Sequence, residues 1–304
     1  MKTNESKQYH TPVMLDEVVW LLNPRPGGIY IDCTLGSAGH SLSLLELKGT
    51  QIQIIGIDKD KDAILAAKEK LVPFTEVVTF IHGNFSKLKD IMGSIGIPHA
   101  DGILFDLGVS GFQLDKTERG FSYMKDGPLD MRMGQEGDLC AKDLVNNLSG
   151  KEIAEILKTY GEERWAARIA RFIVERRIKE PIVTTGQLVD VIKAAIPAGA
   201  RRTGPHPARR TFQALRIAVN HELDNLRTGL NQAINLLRTG GRLVVISYHS
   251  LEDRIVKTTF LNESRLKKQG SLKILTKKPL IPCKEEIISN PRSRSAKLRA
   301  AEKF

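Results

Sequence analysis

The sequence predicts an α/β protein with a Rossmann-like parallel sheet and an inserted all-helical subdomain. Short segments rich in Ile, Val and Leu alternate with amphipathic helical segments in the first third of the chain, which is typical of βαβ units. Three of these apolar segments end in an aspartate, at Asp32, Asp58 and Asp106. Residues 141–195 carry helical patterns and no strand pattern, which indicates an insertion of helices.

Before residue 107 the pattern predicts four strands joined by helices. The strands are expected at residues 28–32, 51–58, 76–81 and 102–106. The helices are expected at residues 41–47, 61–70 and 86–92. Because glycines crowd residues 111–137, we predict that this segment is a loop region near the edge of the sheet where ligands bind.

The insert is predicted to consist of helices whose starts carry N-cap residues. The helices are expected at residues 141–147, 151–160, 162–179 and 185–195. Ser149 and Thr184 are the candidate N-caps, and Gln187 follows Thr184 at capping-box spacing.

The βα pattern resumes after the insert. A helical segment in two connected pieces is expected at residues 211–237, a strand at 242–247 and a further helix from Leu251. Two last strands are expected at residues 272–276 and 285–289, and the basic tail is expected to be partly mobile. The predicted domain limits are 1–135 and 209–304 for the sheet domain and 136–208 for the helical, substrate-binding insert.

The charge of the chain indicates a polyanionic partner. Lys and Arg number 46 against 35 Asp and Glu, a formal net charge of +11. The positive charge concentrates in residues 164–177, 201–210 and 292–303, and clustered positive charge is typical of surfaces that bind phosphates. The alternative is a basic surface with no dedicated partner.

Composition also indicates the cellular compartment. No segment approaches the ~20 consecutive apolar residues of a membrane helix, and the first eight residues lack the apolar core of a signal peptide. The three cysteines lie far apart and have no zinc-ligand spacing, which fits a reducing compartment. We therefore expect a cytoplasmic protein with no membrane segment, no disulfide framework and no bound metal.

The segment that follows the first strand, residues 32–40 (DCTLGSAGH), predicts a small-molecule site. Parallel sheets bind ligands at the carboxyl ends of their strands, and glycine lets the backbone approach a ligand closely. The spacing does not match GxGxxG, but Asp58 ends the next strand and can accept both hydroxyls of an adenosine ribose, in NAD or S-adenosylmethionine alike. The structural alternative is that each aspartate caps the helix after it.

Longer motifs resemble one known family. In chain order they are HTPVM (10–14), TLGSAGHS (34–41), DLGVS (106–110), QLD (113–115), RGFS (119–122), GPLDMR (127–132), TFQALRI (211–217), SYHSLEDR (247–254) and NPRSRSAKLRA (290–300). Over about residues 10–303 the chain is similar to the bacterial ribosomal RNA small-subunit methyltransferase H family, also called the MraW type.

The resemblance implies a fold, a reaction and a partner. The fold would be a class I methyltransferase sheet with an inserted helical domain. The reaction would methylate N4 of a cytidine in the decoding region of 16S ribosomal RNA, with S-adenosylmethionine as the cofactor. The partner would be 16S rRNA or the small ribosomal subunit, and the sequence leaves the oligomeric state open, with a homodimer as one option.

The resemblance also implies a cofactor pocket. Its residues would be Ala38, Gly39, His40, Asp58, Phe85, Asp106 and Gln113. The first three would line the methionine end of the cofactor, Asp58 would hold the ribose and Phe85 would pack near the adenine. For Phe85 alone a core position is the alternative, and for His40 alone a place at the start of a helix.

Catalysis at a cytosine amine needs a proton acceptor, because the nitrogen lone pair is delocalised into the ring. Asp106 is the predicted acceptor, and Asn84 and Asp115 are predicted to assist. Transfer to cytosine C5 would instead need a cysteine nucleophile. Since neither Cys33 nor any other cysteine stands beside Asp106 in the sequence, transfer to nitrogen is favoured.

RNA contacts are predicted for two groups of residues. The candidates for holding an unstacked base are Arg132, Tyr123, Tyr248 and His249. The candidates for binding phosphates are Arg201, Arg202, Arg209, Arg210, Arg292, Arg294, Lys297 and Arg299. For each side chain, packing or plain solvent exposure is the alternative.

Two other function classes fit part of the sequence. A nicotinamide-dependent oxidoreductase would share the sheet and the ribose carboxylate, and binding of NADH would reveal it. A non-enzymatic RNA-binding assembly factor would explain the charge, and RNA binding without cofactor binding would support it.

Overall fold

A single sheet organises the larger part of the molecule. The computed structural model describes residues 12–134, 137, 139–202, 204–265 and 272–304, with only the backbone at Phe112, so His10 and Thr11 of the first motif lie outside the described residues. Within these residues the strands are β1 (Ile29–Asp32), β2 (Gln53–Asp58), β3 (Val78–His82), β4 (Ala100–Asp106), β5 (Leu237–Ser247), β6 (Leu272–Ile274) and β7 (Lys297–Lys303).

The strand order is β3-β2-β1-β4-β5-β7-β6, and the first five strands are parallel. The last two run antiparallel to their neighbours. The chain order reverses at β1, which has β2 on one side and β4 on the other. Such a reversal is where open α/β sheets bind ligands, and the predicted Rossmann-like sheet is confirmed.

The described residues also form α-helices and short 3₁₀ turns. The α-helices are α1 (Leu15–Leu22), α2 (Gly39–Lys48), α3 (Lys61–Lys70), α4 (Leu88–Ser94), α5 (Gly111–Asp115), α6 (Ala141–Asn147), α7 (Gly150–Gly161), α8 (Ala166–Lys179), α9 (Thr185–Ala195), α10 (Ala198–Arg201), α11 (Arg209–Asn220), α12 (Glu222–Leu236), α13 (Ser250–Arg265) and α14 (Lys284–Ser289). Short 3₁₀ turns are Gly49–Gln51, Val72–Phe74, Phe85–Lys87, Thr117–Arg119 and Pro291–Ser295. In the described residues no helix combines the length and apolar character needed to cross a bilayer.

Both faces of the sheet are buried, because successive side chains of a strand point to opposite faces. On one face Tyr30 and Ile54 pack in a core that includes α1, α2 and α3 side chains. On the other face Ile31 and Ile55 pack with side chains of α4, α12 and α13. Phe105, fully buried, belongs to this second core.

The described residues form two compact units. The first contains the chain up to Gly108 and from Asp224 onward, and the second is Val109–Leu223. The predicted insert, 136–208, is shorter than this second unit at both ends. The reason is packing: Leu129 and Met131 from the predicted loop, and Phe212 and Leu215 from α11, all lie in the core of the helical unit.

The segment predicted as a loop, residues 111–137, contains regular structure, so that prediction was wrong for its first part. It begins with α5, followed by the 3₁₀ turn Thr117–Arg119. The N–H of Gln113 donates to Ser110 Oγ at 3.2 Å, and the N–H of Ser110 donates to Gln113 Oε1 at 3.1 Å. This reciprocal capping box stabilises the start of the helix despite the neighbouring glycines.

Two predictions near the C-terminal end were also wrong. Residues 285–289 form α14 and not a strand, since Cys283 caps the helix and two glutamates occupy its first turn. The tail, expected to be partly mobile, supplies β7, which pairs with β5 from Lys297↔Ser247 to Glu302↔Arg242. The strand predicted at 272–276 is confirmed as β6.

Candidate active site

The candidate site lies in the first unit, at the carboxyl ends of β1, β2, β4 and β5. The parallel register brings the aspartates that end the first three of these strands to one edge of the sheet, as the sequence predicted. Tyr248 follows β5 at the same edge, because Asp106 is in register with Ile246. The hydrogen bonds of these side chains determine the rest of the site's geometry.

The loop after β1 is tied to both neighbouring strands. The N–H of Cys33 donates to Leu104 of β4, and the N–H of Leu35 donates to Ile57 of β2, both at 2.9 Å. Thr34 Oγ1 accepts the N–H of Asp106 at 2.6 Å. These bonds fix the loop relative to the carboxylate that ends β4.

The loop then turns through left-handed backbone at Gly36 and Ala38 (φ +51° and +58°). An alanine held in this conformation costs roughly 1–2 kcal/mol, so the surrounding contacts must enforce it. Gly39 starts α2, and a Cβ there would lie 2.6 Å from Pro12 Cγ. Only glycine therefore fits at this position without displacing Pro12.

Asp32 has a structural role. Its carboxylate is buried and accepts the Ser41 hydroxyl at 2.8 Å and the Thr34 N–H at 3.2 Å. Burial raises the pKa of Asp32, while His40 and the two hydrogen bonds oppose that shift. Asp32 therefore connects the loop to a side chain of α2, but it is not the helix cap considered as the alternative, because the N-cap of α2 is Ala38.

Asp58 braces the glycine loop from the end of β2. Its Oδ2 accepts the N–H of Gly36 and its Oδ1 accepts the N–H of Asp60, both at 2.8 Å. Burial raises the pKa of Asp58 to about 6 in spite of these bonds. Each carboxylate oxygen can accept a second hydrogen bond, so both retain capacity for a ligand hydroxyl.

His40 is a buried side chain without a hydrogen-bond partner in the part of the chain that the structure describes. Its exposed fraction is 5%, and among the described residues neither ring nitrogen has a hydrogen-bond partner. Nε2 lies 3.4 Å from Asp106 Oδ2 without the alignment of a hydrogen bond. A buried polar atom left unpaired is costly, which indicates that a ligand completes its bonding.

The side chains of Asp106 and Tyr248 are hydrogen-bonded to each other. The Tyr248 hydroxyl donates to Asp106 Oδ1 at 2.7 Å. Burial and the neighbouring carboxylate raise the pKa of Tyr248 well above its usual value, so the phenol stays protonated and donates. The Asp106 side chain is 26% exposed, which leaves its carboxylate accessible to a reactant.

The backbone of Tyr248 is held by Glu252 from the first turn of α13. Glu252 Oε2 accepts the N–H of Tyr248 at 2.8 Å and that of His249 at 3.3 Å. His249 Nε2 lies 3.2 Å from Glu252 Oε1, and its side chain is only 8% exposed. His249 is therefore packed at the start of α13, which argues against its predicted contact with a flipped base.

Phe85 and Asn84 follow β3. The Phe85 ring packs edge-on against Phe105 with centroids 5.2 Å apart, and part of it stays exposed. A Cβ at Gly229 would lie 2.7 Å from Phe85 Cδ2, so α12 also packs closely against the ring. Asn84 Oδ1 accepts the N–H of Ser86 at 2.9 Å and caps the next turn. Its predicted assistance in catalysis has no support from these contacts.

The predicted site residues Gln113, Asp115 and Arg132 belong to the second unit. Gln113 serves the capping box of α5, and Asp115 is the last residue of that helix. Arg132 Nη2 pairs with Asp130 Oδ2 at 2.7 Å, and the pair raises the pKa of Arg132. The contact of Gln113 with a cofactor, the assistance of Asp115 and the base contact of Arg132 stay predictions.

The predicted phosphate ligands differ in how accessible they are. Of these residues, the exposed ones are Arg201, Arg202, Arg209, Arg210 and Arg294, and the half-buried ones are Arg292 and Lys297. Arg299 is buried on β7 and pairs with Asp253 at 2.6 Å, so it does not lie on the surface. Tyr123 stacks on His206 with ring centroids 4.8 Å apart.

The model of the MraW methylase family matches residues 7–304. The chain belongs to this family. Two curated relatives match over almost their whole length. A protein of Clostridioides difficile named ribosomal RNA small subunit methyltransferase H is 50% identical over 97% of this chain and 99% of its own length. A protein of the same name from Geobacter sulfurreducens is 52% identical over the same shares.

Membership in the MraW methylase family agrees with the sheet described above, and the predicted class I methyltransferase fold is confirmed. A solved rRNA methylase from Streptococcus thermophilus is also similar, at 10% identity over 95% of this chain and 93% of that chain, with a TM-score of 0.44.

Sequence reasoning missed three contacts of this methylase site. It assigned Tyr248 to the RNA base and not to Asp106, and it did not consider Thr34 or Glu252. A signal existed for Glu252, because residues 249–252 place an acidic residue three positions after a helix start. The bond from Tyr248 to Asp106 depends on β4 and β5 being neighbours, which the chain order alone does not reveal.

Proposed function

We propose that the chain transfers a methyl group from S-adenosylmethionine to N4 of a cytidine in the decoding region of 16S ribosomal RNA. The relatives named ribosomal RNA small subunit methyltransferase H support the RNA substrate. The observation that carries the nitrogen target is the Asp106 carboxylate, held on one oxygen by Tyr248 and accessible at the ligand-binding edge of the sheet.

The residues present fit this cofactor. The buried nitrogens of His40, which have no hydrogen-bond partner among the described residues, stand beside a left-handed turn at Ala38, and within that part of the chain no side chain caps α2 before Gly39. A zwitterionic methionine end suits such polar groups, since backbone N–H groups at a helix start favour a carboxylate. We assign Ala38, Gly39 and His40 to this end of the ligand.

The nucleoside end would lie against the two neighbouring strands. Asp58 offers two carboxylate oxygens for the ribose hydroxyls, each with one acceptor position beyond its backbone bond. The exposed part of Phe85 would pack against the adenine. Gln113 is the remaining proposed cofactor contact.

The cytosine amine is a poor nucleophile, so residues of the chain must promote its reaction. S-adenosylmethionine supplies a methyl group already activated on a sulfonium, so binding and orientation are the main requirements. Asp106 accepts an N–H of the cytosine amine, which lets the nitrogen pyramidalise and later lose its proton. Asp106 takes this proton once the nitrogen has bonded to the methyl group, and the Tyr248 hydroxyl holds the carboxylate in place until then.

The cysteines support nitrogen over carbon as the target. Cys33 is the cysteine of the cofactor loop, and it is fully buried in the core under the sheet. Burial raises the pKa of its thiol well above the usual value, so a thiolate does not form there. C5 methylation through a cysteine adduct would need a reactive thiolate at the base.

The test is identification of the methylated nucleoside. The protein is incubated with tritiated S-adenosylmethionine and small ribosomal subunits from cells that lack this gene, and the digested rRNA is analysed by mass spectrometry. We expect labelled N4-methylcytidine at one position of the decoding region, and none with Asp106→Ala. Label in another nucleoside, or no label in subunits or naked rRNA despite cofactor binding, would overturn the proposal.

Cofactor affinity should depend on the charge of Asp58. Because its pKa is about 6, the carboxylate is mostly charged at neutral pH and mostly protonated about half a unit below 6. Lowering the pH from about 7.5 to about 5.5 should weaken cofactor binding about fourfold, measured by calorimetry. The effect of pH on folding has the opposite direction to its effect on cofactor binding. Because the pKa of Asp58 is raised in the folded chain, its contribution to folding stability is lost as the pH rises through 6.

Asp58→Asn is the control for this pH dependence. Its binding should be weak at all pH values and should lose the acid-dependent part of the change. If the variant shows the same loss of affinity between the two pH values as the natural chain, another group causes the dependence.

A further inference from the structure

Helix α8 in the helical unit has two basic halves that differ in their contacts. In the C-terminal half, Arg176 pairs with Glu180 at 2.7 Å, and Arg177 donates to the carbonyl of Val145 at 2.7 Å. These two guanidinium groups are used inside the unit. They contribute to the fold and are not available for an external ligand.

The N-terminal half of α8 and the turn before it present exposed positive charge. Arg168 and Arg171 stand three positions apart, so they lie on one face of the helix, and the exposed Arg164 lies in the turn just before it. Among the described residues Arg164 and Arg168 pair with no carboxylate. Arg171 lies 3.6 Å from Glu175, but both side chains are 62% exposed, and such a pair contributes little.

Two aromatic rings lie beneath these arginines. The Arg164 guanidinium is 5.2 Å from the centroid of Trp165. The guanidinium groups of Arg168 and Arg171 are 5.5 and 5.4 Å from the centroid of Phe172. Both rings are partly exposed. The combination of flat cations and rings offers stacking surfaces as well as charge.

The opposite face of α8 anchors this surface. Ile169, Ala170 and Ile173 are fully buried in the core of the helical unit. The inner edges of Trp165 and Phe172 pack against the same core. Arg168 and Arg171 are therefore held on a helix whose position is fixed by packing, and Arg164 lies next to the packed ring of Trp165, so little backbone ordering is needed when a ligand binds.

We propose that Arg164, Trp165, Arg168, Arg171 and Phe172, which we call the α8 platform, bind an unpaired segment of the substrate RNA. The arginines contact phosphates, and unstacked bases stack on the guanidinium and ring planes. The proposal rests on the proposed function, since it takes rRNA as the substrate. It extends that function to a binding surface outside the unit that carries Asp106.

The chemistry favours a single strand over a duplex. Paired bases are stacked on each other and present only phosphates and groove edges, so the rings would have no partner there. A single strand offers both phosphates and open base faces. The net charge of +11 supports a polyanion in general, but the rings under the arginines are what select the unpaired form.

The test compares two sets of three charges. Arg164→Ala/Arg168→Ala/Arg171→Ala removes the platform charges, and Lys89→Ala/Lys257→Ala/Lys273→Ala removes three exposed charges from the first unit. Binding of a fluorescein-labelled single-stranded oligoribonucleotide is followed by anisotropy over a range of salt concentrations. We expect the platform variant to bind at least about tenfold more weakly, with a salt slope lower by about 2. The control should stay close to the natural chain.

A second variant separates stacking from charge. It also serves as a control for misfolding of the alanine variant. Arg164→Lys/Arg168→Lys/Arg171→Lys keeps the charge, so it should keep the salt slope and still lose affinity for the single strand. Equal RNA binding by the platform and control variants would overturn the proposal. If the natural chain methylates no rRNA and the platform variant still loses RNA binding, the proposed function fails and the α8 platform stands.

Discussion

Asp106→Asn is expected to lower the rate of methyl transfer about 10²- to 10⁴-fold, the range typical of losing a positioned proton acceptor. The amide keeps the size of the side chain, and its oxygen can still accept the Tyr248 hydroxyl. It cannot take a proton from the cytosine amine at neutral pH. The measurement is the single-turnover rate with saturating RNA and cofactor, so that binding does not limit the signal.

Cofactor affinity decides between the two roles predicted for Asp106. We expect calorimetry to give nearly the same Kd for S-adenosylmethionine with Asp106→Asn as with the natural chain. Asp224→Asn, an exposed aspartate of the same unit, is the matched control and should change neither quantity. A large loss of cofactor binding with an unchanged rate at saturation would make Asp106 a cofactor ligand only.

Tyr248→Phe should lower the same rate about 10- to 100-fold. The hydroxyl makes a 2.7 Å hydrogen bond to a carboxylate, and a bond to a charged group contributes about 1.5–3 kcal/mol. Because the pKa of Tyr248 is raised well above its usual value, the phenol donates throughout the assay range, and the effect should not vary with pH. Tyr160→Phe provides a control for removing one phenol.

The double variant Tyr248→Phe/Asp106→Asn tests how Tyr248 acts. If the phenol works through Asp106, adding Tyr248→Phe to the Asp106→Asn variant should lower the rate of methyl transfer little further, because the two residues act as one unit. Full additivity of the two effects would contradict this, and would favour the alternative that Tyr248 contacts the RNA base directly.

Much of the sheet could be predicted because its strands are apolar and separated by amphipathic helices. β7 could not, since Lys297, Arg299 and Glu302 interrupt any apolar pattern. Arg299 is buried there because Asp253 on α13 compensates its charge, a contact between residues that are distant in sequence. The strand also completes the pairing of β5, and no local pattern records that requirement.

The candidate site could be predicted as far as its aspartates. Parallel strands bring their carboxyl ends to one edge, so strand-final carboxylates were expected to meet. Their individual roles depend on partners. Asp32 binds Ser41 and Thr34, whereas Asp106 binds the Tyr248 hydroxyl, and these differences follow from strand order and loop geometry. Asn84 and Gln113 make local capping bonds, whereas sequence reasoning predicted only a catalytic role for Asn84 and a ligand contact for Gln113.

The discontinuity of the first unit has a consequence for how the chain reaches this structure. The helical unit is one continuous stretch, Val109–Leu223, so its contacts can form locally and early. β4 can pair with β5 only after the whole intervening segment, Val109–Leu223, has been brought into place. Until then β4 is a sheet edge with unpaired backbone groups. We expect folding in two episodes, helices first, with the incomplete sheet as the species most exposed to aggregation.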